Sequence, residues 1–186
     1  MDNSPDCDVK HIHHLGVVAA IFKQHKIVER IDFLLPKHSN NQKITHGEAI
    51  LAMVMQGLGF TNQRIYLTKK FFLDISMLGL FRPEIKAEYF TADTFARTLD
   101  AIYKYGASKF FIDTCLDIVL KNKYLRKFIF IDTTSMYVTG KKYKKDGKLE
   151  LKHGYSKDYR GDLKQLIYLL VSTEDGLPLH FEGHSG

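Results

Sequence analysis

Phe128-Ile129-Phe130-Ile131-Asp132-Thr133-Thr134-Ser135 is the stretch at which the pattern of the chain changes. Upstream of it, apolar residues recur every three or four positions, the period of an amphipathic helix. From Phe128 onward they come in continuous runs of strand length. Phe128 to Asp132 therefore predicts a buried strand, with Asp132 at the end where the chain leaves the core. Gln165 to Ser172 predicts a second strand. Glu174-Asp175-Gly176 predicts a turn, and Leu177 to Phe181 a third strand folding back on the second. Pro178 has no N–H to give to a ladder, so at that point the third strand should lie at an edge or a bulge.

Upstream, Leu15, Val18, Ala19 and Phe22 share one helical face, and Ile27, Val28, Ile31, Leu34 and Leu35 share another before Pro36. Thr45-His46-Gly47-Glu48 is a capping-box pattern opening a helix with the stripe Ile50, Leu51, Val54, Met55 and Leu58, ended by Gly57 and Gly59. Arg64 to Leu73 predicts a further helix. Thr91 is an N-cap for Phe95, Leu99 and Ile102, and Gly106 stops that helix before another over Ala107 to Asn122. Two helices meeting near a glycine fit either a helix-turn-helix or ordinary bundle packing. The expected class is α+β: an all-helical domain over residues 1–125, with capacity to bind DNA, then a sheet domain over 126–186. Three strands without a covering helix leave one sheet face bare, so the sheet domain is expected to be cut short.

The 186 residues are 45% hydrophobic and 12% aromatic, which suits a folded core and excludes a disordered chain. The net charge is +6, and its distribution says more than its size. Lys141 to Lys164 holds eight Lys and one Arg against four acids, leaving +5 within that stretch. So concentrated an excess points to a polyanion such as nucleic acid; the plainer reading is a solvated lysine-rich loop. Cys7 and Cys115 form no C-x-x-C, and Cys115 falls on an apolar helical face as an inert thiol, which suits a reducing compartment. The acidic N-terminus lacks the apolar core of a signal peptide, and Ala49 to Phe60 is too short and too broken to span a bilayer.

Asp132 is the candidate for chemistry. A carboxylate at a strand end beside a basic loop suits a divalent cation held against a phosphodiester; the plainer alternative is a cap for the turn that follows. Asp158 and Asp162 read as loop acids balancing Lys157, Arg160 and Lys164. His11, His13 and His14 cluster in a terminus expected to fray, without a partner pair at zinc spacing. Tyr143, Tyr155 and Tyr159, interleaved with lysines, either stack on splayed bases or pack the loop onto the sheet.

Four blocks in order carry a resemblance: Ile131-Asp132-Thr133-Thr134-Ser135, His153-Gly154-Tyr155-Ser156-Lys157-Asp158, Arg160-Gly161-Asp162-Leu163-Lys164-Gln165 and Asp175-Gly176-Leu177-Pro178-Leu179. Together they resemble DDE transposases of the IS4-like insertion sequences, in the IS1634 branch. His14-Leu15-Gly16 through Leu34-Leu35-Pro36 resembles the helical domain that precedes the catalytic core there. Gly161 stands where that branch often carries Pro.

The resemblance implies an RNase H-like catalytic core of which this chain holds the first three strands. It implies that Asp132 is the first catalytic and metal-binding carboxylate, with Mg2+ or Mn2+ bound only by the complete active site. The second Asp and the Glu of the family are not found in the sequence, so the chain alone is expected to be inactive. Lys141, Lys142, Lys144, Lys145, Lys148, Lys152, Lys157, Arg160 and Lys164 are the expected DNA contacts. The implied role is DNA transposition by strand cleavage and transfer at insertion-sequence ends. A homo-oligomer is expected, in the cytoplasm with the nucleoid and away from membranes. The alternative is a non-enzymatic DNA-binding remnant that inhibits a full-length transposase.

Overall fold

The computed structural model describes residues 10–36, 42–59, 63–125, 127–139, 149–154 and 159–186. Six α-helices precede a four-stranded antiparallel sheet: α1 (Leu15–Gln24), α2 (Ile27–Leu34), α3 (His46–Leu58), α4 (Thr68–Leu73), α5 (Ala92–Tyr105), α6 (Ala107–Lys121), β1 (Ile129–Val138), β2 (Lys152–His153), β3 (Lys164–Thr173) and β4 (Pro178–Ser185). The chain forms two compact units, Met1–Lys104 and Tyr105–Gly186. The change of apolar period marks the start of the strands near residue 125. By its contacts, however, α6 groups with the sheet.

In the first unit the core gathers Leu15 and Ala19 of α1, Ala49, Leu51, Ala52 and Met55 of α3, and an aromatic group. The rings of Phe72 and Phe81 meet edge-on at 5.5 Å, and Phe72 and Phe90 lie 5.0 Å apart. The capping box forms as its pattern predicts. The Glu48 N–H donates to Thr45 Oγ1 at 3.1 Å, and the Thr45 N–H donates to Glu48 Oε2 at 2.8 Å. Thr91 likewise accepts from the Thr94 N–H. Arg64 to Leu73 divides into a single 3-10 turn and the short helix α4. The terminus expected to fray is tied down: the Ser76 N–H donates to the His11 carbonyl, and His14 Nε2 lies 2.6 Å from the Leu58 carbonyl oxygen.

The start of α3 is a polar junction in which His46 and Glu48 are buried, Asp32 is half-buried and Arg82 is exposed. Gly47 donates its N–H to Asp32 Oδ1 at 2.8 Å, Arg82 Nε donates to Glu48 Oε1 at 2.6 Å, and His46 Nδ1 meets Thr98 Oγ1 at 2.9 Å. Burial pushes the Asp32 carboxyl above the usual range, partly opposed by the Gly47 N–H. A carboxyl whose pKa is raised by folding contributes stability below its unfolded pKa and loses that contribution as pH rises through the raised value. Asp32→Asn keeps an oxygen for Gly47 and removes the half-buried charge. Urea unfolding near neutrality should find it as stable as the parent or more so, with the difference shrinking as pH falls. Asp32→Ala, which strands the Gly47 N–H, should cost about 1–3 kcal/mol.

Gly47 also lets α2 and α3 touch. A Cβ there would fall 2.4 Å from the Val28 carbonyl oxygen. Helix propensity alone favours Ala by about 1 kcal/mol. Thermal unfolding of Gly47→Ala should nevertheless show a net loss of about 1–3 kcal/mol, because the clash is with backbone.

In the second unit β3 is central. β1 pairs along one edge in continuous antiparallel register, from Ile129 opposite Thr173 to Val138 opposite Lys164. β2 and β4 share the other edge, β2 at Lys164 and Gln165 and β4 from Leu166 to Ser172. The hairpin turns at Gly176, whose φ of 78° is open to glycine. Pro178 is the first residue of β4 and sits at a bulge between Val171 and Ser172, as its missing donor requires. α6 covers the β4 side, with Phe111 6.1 Å from Phe181, and Phe181 stacked on Tyr168 at 5.1 Å.

Two expectations about β1 are corrected. The strand does not end at Asp132: Thr133 to Val138 continue it, because β-branched and aromatic residues prefer the pleated ladder to a turn. Nor is it buried. Ile129 and Ile131 are 54% and 65% exposed, since by register they point to the face opposite Phe181, the ring on which α6 packs.

Candidate functional site

Asp132 is the fourth of ten residues in β1 and faces Leu170 across the ladder. Directly opposed residues of a pleated sheet share a face, as do residues two apart. Asp132 therefore shares its face with Thr134, Met136 and Val138, and through Leu170 with Phe181. It is exposed, and its Oδ1 accepts from the Thr133 N–H at 2.9 Å. Among the described residues no group of three His, Cys, Asp or Glu is placed to hold a metal ion, so Asp132 does not by itself make a metal centre.

The sequence blocks downstream meet at one end of the sheet. His153 of β2 lies opposite Lys164 of β3, which lies opposite Val138. In the next row Lys152, Gln165 and Tyr137 stand in line. Gln165 is only 2% exposed, and a Cβ on Gly154 would fall 2.6 Å from its Nε2. The glycine between His153 and Tyr155 is thus where a buried amide of the neighbouring block crosses the chain. Arg160 grips Asp162 with two bonds, Nε to Oδ1 at 2.8 Å and an Nη to Oδ2 at 2.9 Å. That pairing holds the Asp162 carboxyl below the usual range, and it agrees with reading Asp162 as a balancing acid.

Of the expected DNA contacts, Lys152, Arg160 and Lys164 lie at this sheet end, Lys164 on the face of Asp132, and Lys152 on the opposite face with Tyr137, over whose ring Arg160 sits. Lys141, Lys142, Lys144, Lys145, Lys148 and Lys157 lie outside the described residues, as do Asp158, Tyr143 and Tyr155. Lys164 and His153 lie on the face of Asp132, six residues along β1 from it at the Val138 row. That is about 20 Å of strand. Cys115 is half-buried, and burial pushes its thiol up, which suits an inert side chain. No local pattern announces the row Tyr137–Gln165–Lys152, because β2 is two residues long and pairs across a loop.

The profile of a family described as a domain of unknown function, DUF4277, matches residues 7–116, more than half of the chain. The chain belongs to the DUF4277 family. The DUF4277 match covers the helices and stops within α6, so Asp132 and the basic sheet end lie beyond it. Comparisons with curated proteins and with solved structures gave no match. Among the described residues of this DUF4277 chain, no helix is long and apolar enough to cross a membrane.

Proposed function

We propose that this chain is the DNA-binding and first-carboxylate part of a DDE transposase of the IS4-like insertion sequences, IS1634 branch. Its sheet would be the start of an RNase H-like core. The observation that carries the reading is the exposed Asp132 on a strand whose face also bears Lys164 and His153 of the basic end. The separation of about 20 Å corresponds to about six base pairs of duplex rise. A duplex bound by its phosphates at Lys164 and lying along β1 would reach Asp132.

The reaction needs more than Asp132. A divalent ion such as Mg2+ keeps its waters unless several hard oxygens replace them. In this reading the ion is Mg2+ or Mn2+, and the other carboxylates come from outside the described residues. The chain's own part is to hold the phosphate backbone and to present one acid.

Fluorescence-anisotropy titration of a duplex across a salt series tests the DNA half of the proposal. Affinity should fall steeply with salt, with a slope of about −0.9 per phosphate neutralised. Absence of binding at low salt would overturn it.

A further inference from the structure

We infer that Tyr159, Arg160 and Tyr137 form a stacking site for an unpaired DNA base. The inference rests on the DNA-binding reading and goes beyond it, from the phosphates to the bases. Tyr159 is 91% exposed, so its ring does not pack the loop onto the sheet. Its φ is +57°, a conformation that a bulky side chain seldom adopts. The next residue, Arg160, lies with its guanidinium carbon 5.9 Å from the centre of the Tyr137 ring.

The bidentate bond to Asp162 decides what Arg160 is suited for. It offsets the charge and occupies two donors, which weakens Arg160 as a phosphate clamp. It also fixes the plane of the guanidinium, and a fixed plane beside the Tyr137 ring, with the exposed Tyr159 next to it in the chain, is a surface for a flat, polarisable ring. A nucleobase is such a ring. In an intact duplex its faces are covered by its neighbours, so the ligand is a base in single-stranded or locally opened DNA. Lys152 shares the face of Tyr137 across Gln165 and can meet the backbone of the same strand.

The probe is an oligothymidylate of about 20 nucleotides, longer than a single-strand site of this kind. It is compared by anisotropy with a blunt duplex of equal length, using the whole 186-residue chain. Tyr159→Ala should weaken single-strand binding by about fivefold to a hundredfold. Blunt-duplex affinity and both salt slopes should stay as in the parent, and Tyr159→Phe should restore the loss. Because Tyr159 is almost wholly exposed, the variant should keep the parent's circular dichroism. A Tyr159→Ala protein that binds the oligothymidylate as the parent does would overturn the stacking site, as would an equal loss on both probes. Failure of the parent to bind either probe would overturn the DNA reading itself, a result distinct from these.

Discussion

Asp132→Asn should abolish Mg2+-dependent nicking, by about a thousandfold or more, in any protein that completes this site, and should leave duplex affinity nearly unchanged. Asn keeps the shape of the side chain and one oxygen for the Thr133 N–H. It removes the negative charge that a divalent ion would need there, and such an ion contributes several kcal/mol to stabilising charge at phosphorus. Because Asp132 stands about 20 Å along the strand from the basic end, its loss should not reach the phosphate contacts. The assay is conversion of supercoiled plasmid to open circle, with anisotropy run in parallel. The 186 residues by themselves should bind and not cut, since no second and third ligand accompany Asp132 among the described residues. Cutting by that purified chain, or full activity of the completed Asp132→Asn protein, would sink the assignment.

Replacing Lys141, Lys142, Lys144 and Lys145 together by Gln should weaken duplex binding by orders of magnitude at low salt. If all four neutralise phosphates, the slope of log affinity against log salt should flatten by about 3.6. Parent and variant should converge as salt approaches about 1 M, where counterion release no longer favours binding. A parallel shift with unchanged slope would mean a folding defect or a contact without charge. An unchanged affinity would move the DNA contact to the helical unit.

What was legible in the sequence is what depends on near neighbours. The Thr45–Glu48 box, the Thr91 cap and the stop at Gly106 each involve residues within a turn of one another. Pro178 announced its bulge because a missing donor has the same consequence in any sheet. What was not legible depends on partners far along the chain. Glu48 is bonded to Arg82 and His46 to Thr98, and nothing local announces either pair. The length of β1 was missed because Thr133-Thr134-Ser135 suits a turn as well as a strand, and only the ten-residue ladder to β3 decides it. The candidate site divides in the same way. Asp132 and the lysines are candidates by residue type and charge alone, whereas the row of Tyr137, Gln165 and Lys152 needs the register of three strands.

Among the described residues no strand pairs with the outer edge of β1, and this apolar edge governs how the protein will behave in a tube. Phe128, Ile129, Phe130 and Ile131 each expose more than half of their surface, and β1 carries neither Lys nor Pro from Ile129 to Val138, the residues that commonly discourage strands from adding to an edge. Concentrated stocks should therefore age: light scattering should rise with storage time and protein concentration, and thioflavin fluorescence should rise with it as strands stack across molecules. A single lysine at Ile131, outward on that edge, should prolong shelf life without touching Asp132.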